Sequence, residues 1–180
     1  MFARGLQSEG MKYSRPLPEV DLRDAGPADA DFMEALARIH LAENLGAPPG
    51  VEAGPLLEMQ MRSRAMMLEH SFPDLRRRVG QIGDAPVAVL LTAIRDGALH
   101  VVEIATAPRW RRRGVGAALL ERVAAEARAG GQDATAHIFV TNTASLGLFS
   151  GAGFTLTAQP GAAQVVARLR TGITVTPDIA

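Results

Sequence analysis

The stretch from Glu103 to Leu120, EIATAPRWRRRGVGAALL, leaves little choice of local structure. Continuing Leu99-His100-Val101-Val102, its start reads as a buried strand. Pro108 has no N–H to donate and ends the ladder, and a helical pattern opens at Gly114. The unit is strand, basic glycine loop, helix. Glycines at 114 and 116 remove Cβ atoms that would keep a ligand from the backbone. The first-turn N–H groups of Val115, Gly116 and Ala117 have no intrahelical acceptor. The helix dipole adds about half a positive charge at that end, and Arg111, Arg112 and Arg113 add full charges beside it. A polyphosphate is the expected guest.

Spacing separates this loop from two better-known phosphate loops. A P-loop needs Gly, four residues and then Gly-Lys-Ser/Thr, and the chain has no such run. A dinucleotide fingerprint needs G-x-G-x-x-G, and here its third position falls on Leu119. Arg111-x-x-Gly114-x-Gly116 instead resembles the Q/R-x-x-G-x-G/A loop of the GNAT superfamily of N-acetyltransferases. That resemblance implies that the loop and the helix after it hold the pyrophosphate of acetyl-coenzyme A, the co-substrate, with no metal.

Along the chain, residues 1–18 lack periodicity and read as a flexible arm, the domain proper as 19–170, and 171–180 as a loosely held tail. A first strand is expected at Glu19–Arg23. Pro27 and nearby acids open a helix striped by Phe32, Leu36, Ile39 and Leu45, which stops by Gly46–Gly50. A second helix runs from about Leu56 to His70 with Leu57, Met61, Ala65 and Leu68 on one side. Met59, Met61, Met66 and Met67 read as core or groove filler. Arg78–Ile82 and Pro86–Ile94 form a hairpin about Gly83-Asp84-Ala85, and Asp96-Gly97 turns into Leu99–Thr106. The helix after the loop buries Val115, Leu119, Val123 and Ala127, exposes Glu121, Arg122, Glu126 and Arg128, and ends at Gly130-Gly131. Ala134–Val140 follows, parallel to Leu99–Thr106 if the crossover is right-handed. A short helix opening at Asn142 and a strand at Gln164–Arg170 complete the order.

That order, β-α-α-β-β-β-α-β-α-β, resembles the GNAT order over residues 19–170. It implies an α/β (α+β) fold with a mixed, mostly antiparallel central sheet of about six to seven strands, helices on both faces, and a V-shaped splay between the fourth and fifth strands. A second segment, Asn142 through Leu148-Phe149 to Gly153-Phe154, is similar to the family's N-…-L-Y-x-x-x-G-F run. By the same resemblance, Ile104, Ala105 and Thr106 pair with the pantetheine arm, and Asn142 and Phe149 lie at the cofactor. Asn142 is equally a plain helix cap.

Acetyl transfer from a thioester needs an uncharged amine in line with the carbonyl, donors for the developing oxyanion, and two proton transfers. Backbone N–H groups near Ala105 and Thr106 could polarise the carbonyl. Glu103, near the end of the central strand, can take the amine proton directly or through water, or stand as a solvated or salt-bridged carboxylate. His100, earlier on that strand, reads as structural. The family tyrosine that protonates the departing thiolate falls at Phe149, which has no proton to give. Ser145, one helical turn earlier, or water could substitute, and a thiolate can also leave unassisted. A catalytically silent acyl-CoA-binding module is therefore the alternative to an N-acetyltransferase acting on a small-molecule or peptide amine.

Composition bounds the partners. With 19 basic and 19 acidic residues and 4% aromatics, the chain has no field for nucleic acid. It has no cysteine, which excludes disulfides and thiol nucleophiles. No apolar run approaches a membrane span and no signal-peptide pattern opens the chain, so a cytoplasmic location is expected. Nine acids between Glu19 and Glu58 face two basic residues, Arg23 and Arg38, and an acidic rim there would favour a cationic acceptor. Many relatives dimerise, and a homodimer is compatible with the resemblance.

Overall fold

The computed structural model describes residues 16–44 and 54–172. The expected helix stop at 46–50 and most of the arm and tail lie outside them. Strand β1 (Asp21–Asp24), a 3-10 turn at Pro27–Asp29, helices α1 (Ala30–Asn44) and α2 (Gly54–Ser71) and strands β2 (Arg76–Ile82), β3 (Ala85–Arg95) and β4 (Ala98–Thr106) come first. A 3-10 turn at Pro108–Trp110, α3 (Val115–Ala129), β5 (Ala134–Phe139), α4 (Thr143–Gly151), β6 (Thr155–Ala158) and β7 (Gln164–Leu169) complete the chain. One seven-stranded sheet has the order β1-β2-β3-β4-β5-β7-β6, antiparallel except for β4 beside β5.

The expected mixed sheet, its parallel pair and its helix order are all present, with strand β6 as an addition to the expected set. Thr155-Leu156-Thr157-Ala158 is a four-residue edge strand with no side chain fully buried, so it carries no strong apolar alternation, and its place is fixed by pairing with β7. The β3–β4 hairpin turns on Asp96 (φ 51°) and Gly97 (φ 72°), the left-handed pair that a two-residue turn of right-handed twist demands.

Helices α3 and α4 cover one face and α1 and α2 the other. The larger core joins Leu90, Leu99, Val101, Leu119, Leu120, Val123 and Phe149. A smaller one joins Leu36, Leu68, Val89, Leu91 and Ala105. Three expected faces are corrected. Ile39 and Ala65 are exposed, because the buried side of α1 turns on Leu36 and Ala37 and that of α2 on Leu57 and Leu68. Met59 and Met66 are exposed as well. Glu126 is half-buried, since it accepts from Arg78 Nη1 at 2.6 Å and from Arg76 at 3.3 Å and so ties α3 to β2. Buried Arg78 also donates to Thr92 Oγ1 at 3.0 Å.

Strand β4 carries the feature that matters most for the site. Val101 pairs with Thr92 and Glu103 with Leu91, so Val102 has no opposite number and forms a bulge. Before it, Leu99 and Val101 face the α3 core. Without the extra residue Glu103 would face that core too. With it, Glu103 and Ala105 turn to the α1/α2 face, and Ile104 packs toward α3. The parallel pairing of β4 with β5 covers only Leu99↔Ala134, His100↔Thr135 and Val101↔Ala136, and ends where the bulge begins.

His100 is structural. It is 4% exposed, its Nδ1 lies 2.9 Å from Thr135 Oγ1, and its ring contacts Phe72 and His137. Burial, with His137 and Arg95 nearby and against Asp96, lowers its pKa from 6.5 to about 4. The unfolded chain therefore takes up a proton below pH 6.5 that the folded chain refuses until about pH 4, and stability falls across that window, by up to about 3 kcal/mol. His100→Gln should flatten the fall between pH 6.5 and 4, measured by urea unfolding at a series of pH values.

Candidate active site

Where β4 and β5 diverge, a cavity of about 470 Å³ opens between their ends and the helices α1, α2 and α4. It brings together Glu103, Ile104, Asn142, Ser145 and Phe149 from the expected site. Ala105, Thr106 and the loop Arg111–Ala117 are not in its wall; they continue from it along β4 to the start of α3.

The loop has the geometry of an anion cradle. Arg112 (φ 61°) and Gly114 (φ 85°) are left-handed, an uncommon and costly state for the arginine. No side chain caps α3 at Gly114, and its first intrahelical bond is Ala118 N–H to Gly114 O, so the N–H groups of Val115, Gly116 and Ala117 lack intrahelical partners. The glycines also have a steric reason within the protein itself. A Cβ on Gly114 would stand 3.0 Å from Pro18 Cδ and 3.3 Å from Leu17 Cδ2, and one on Gly116 would stand 3.0 Å from Leu148 Cδ2. Both positions let protein approach protein. The segment before β1 and helix α4 pack there.

The arginines divide their tasks. Arg111 donates from Nη1 and Nη2 to the two carboxylate oxygens of Glu43, at 2.7 and 3.1 Å, and from Nε to Thr106 O at 3.1 Å. It joins the end of β4 to the last turn of α1. Arg113 lies over the Trp110 ring, 5.4 Å from its centroid. Asn142 Oδ1 accepts from Ser145 N–H at 3.0 Å and so acts as the cap of α4. Phe149 is 2% exposed and meets Phe154 edge-on, with centroids 5.0 Å apart.

Glu103 is ion-paired. Arg64, from α2, donates to its Oε2 from Nη2 at 2.7 Å and from Nε at 3.1 Å, with side chains 22% and 23% exposed. Beside this pair His40, on α1, has a buried Nε2 with no partner among the described residues. Burial first, then the Arg111 guanidinium and, more weakly, that of Arg64, push its imidazole below the usual range, against Glu103 and Glu43. Arg64 and His40 escape the sequence reading. They stand 39 and 63 positions from Glu103, and no spacing pattern links such distances.

The acids expected to form a rim are mostly paired: Asp24 with Arg76, Asp29 with Arg23, Glu34 and Glu58 with Arg38, and Glu43 with Arg111. Among the described residues no cluster of His, Cys, Asp or Glu could hold a metal ion, and no helix is long and apolar enough to cross a membrane.

A sheet of this order, splayed beside an uncapped helix after an arginine-glycine loop, defines the acetyltransferase class of α/β folds. The model of the acetyltransferase (GNAT) family matches residues 49–154, and the chain belongs to that family. Solved structures share the fold. The PaiA N-acetyltransferase of Thermoplasma acidophilum in complex with coenzyme A matches with a TM-score of 0.66 and 11% identity, over 84% of this chain and 99% of that one. An acetyltransferase of Thermus thermophilus matches at 0.61 and 23%, over 83% and 96%. The spermidine N-acetyltransferase of Vibrio cholerae, in complex with coenzyme A and spermine, matches at 0.58 and 16%, over 83% and 92%. No curated protein matches the sequence at a significant level.

The packing at Gly114 yields a stability test. Gly114→Ala places a Cβ in a left-handed residue and against the Pro18 ring, and should cost about 1–3 kcal/mol. Gly116→Ala meets only the tip of the Leu148 side chain and should cost less. Urea midpoints of the two variants would give this order.

Proposed function

We propose that the chain is an acetyl-coenzyme A-dependent N-acetyltransferase that moves an acetyl group to the primary amine of a small molecule or peptide by direct attack on the thioester. The observation that carries this reading is the β4–β5 splay. Its cavity holds the ion-paired Glu103, and the unpaired end of β4 leads on from it to the uncapped start of α3. The co-substrate supplies an activated acyl group.

In this reading the N–H groups of Val115, Gly116 and Ala117, with the cradle Arg111–Gly114, hold the pyrophosphate. The edge of β4 over Ile104, Ala105 and Thr106 faces no β5 partner and pairs with the pantetheine arm, and its N–H groups polarise the carbonyl. Asn142, in capping α4, sets Ser145 and Phe149 against the same slot. Glu103 accepts the amine proton, directly or through water, at the oxygen Arg64 leaves open. Ser145 or water gives a proton to the departing sulfur. That relatives crystallise with coenzyme A supports the cofactor.

Phe149 favours a second reading, a silent acyl-CoA-binding module, because this buried ring at the cavity has no hydroxyl to donate. The variants separate the two. Glu103→Gln should lower the acetylation rate at neutral pH by roughly 10²-fold or more while coenzyme A affinity is nearly kept. Ser145→Ala should lower it by a similar factor if that hydroxyl is the acid, and leave it unchanged if water serves. Coenzyme A binding by calorimetry without acetylation of any amine, in wild type and Phe149→Tyr alike, would select the silent module.

A further inference from the structure

The ion pair inside the cavity bears on the acceptor. We propose that the acceptor is zwitterionic, an amine carrying a carboxylate close by as in an α-amino acid, held between Glu103 and Arg64. This rests on the acetyltransferase reading above and names its substrate class.

Arg64 and Glu103 come from different elements, meet at the β4 bulge and both line the cavity. Two donors of Arg64 converge on one oxygen, Oε2. Glu103 Oε1 and Arg64 Nη1 are thus left without a hydrogen-bond partner among the described residues. An ammonium group suits the first and a carboxylate the second, and a ligand bearing both completes the two without disturbing the pair.

Other acceptor classes satisfy only half of this. A monoamine or polyamine adds a second positive charge to a carboxylate that Arg64 already balances, and brings no anion of its own to offset it. A peptide N-terminus offers Arg64 Nη1 only a neutral carbonyl oxygen, a weaker acceptor for a guanidinium than a carboxylate. The surrounding charge does not compensate: Glu43 is committed to Arg111, and Glu34 and Glu58 to Arg38. His40, pushed below its usual range, adds no charge at neutral pH. Leu41, Met67 and Phe139 supply an apolar wall for the rest of the acceptor.

The transfer balances simply. The new bond joins the acceptor nitrogen to the acetyl carbon, and the carbon–sulfur bond breaks. Two protons leave the ammonium nitrogen. One passes through Glu103 to solvent, and the sulfur gains one to leave as free thiol.

The test measures free-thiol release from acetyl-coenzyme A by the full chain with a panel of α-amino acids, their amides, the matching decarboxylated amines and spermidine. Calorimetric binding of each is measured in the presence of coenzyme A. For at least one amino acid kcat/KM should exceed that of its amide and amine by roughly 10- to 100-fold. Arg64→Met should abolish that preference mainly through KM, and Arg64→Lys should keep part of it. Equal or better use of amides, amines or spermidine would overturn the proposal, as would an unchanged preference in Arg64→Met. If coenzyme A binds but no panel member binds or reacts, the zwitterion falls while the cofactor assignment stands. Absence of coenzyme A binding would overturn the acetyltransferase reading itself.

Discussion

One unpaired residue, Val102, decides how the two faces of this sheet are used. A strand alternates its side chains, so a continuous β4 would drive Glu103 into the hydrocarbon packed under α3, where an ionised carboxylate is untenable. The bulge turns Glu103 toward α2, within reach of Arg64, while Ile104 stays with the core. Pairing with β5 stops at the same point. The extra residue thus opens the slot and aims the carboxylate at its mouth, and the parallel crossover through α3 sets the cradle at the far end.

Ion pairs hold the layers around that slot. Arg78, on β2 and buried under α3, meets Glu126 and Thr92, and Arg38 joins α1 to α2 through Glu58 while pairing with Glu34 on its own helix. In exposed positions such pairs add little, but a buried guanidinium without its partner would be severely unfavourable. The charge that looks like an acidic rim in the sequence is therefore largely balanced pair by pair.

This explains how much can be read in advance. The strand, loop and helix from Glu103 to Ala129 are legible because Pro108, the glycines and the apolar spacing of α3 act locally, and the hairpin turn Asp96-Gly97 is legible for the same reason. Strand β6 is not, since an exposed four-residue edge has little periodicity. The bulge is hidden because an apolar run such as Leu99–Val102 gives no sign of which residue will lack a partner. Glu103 stands out as a lone carboxylate, yet its pairing with Arg64 and the neighbourhood of His40 arise only when α1 and α2 fold over β4.

The motif arginine is also a joint between elements. Arg111 contacts the carbonyl that ends β4 and the carboxylate that closes α1, and His40 lies one helical turn before that carboxylate. Backbone N–H groups, the helix dipole and the neighbouring Arg112 and Arg113 add positive potential beside Arg111. Glu43 ties the loop to the turn of α1 that carries His40, beside the Glu103–Arg64 pair. One half-exposed ion pair thus links the loop to a helix that lines the cavity, although 68 positions separate its partners in sequence.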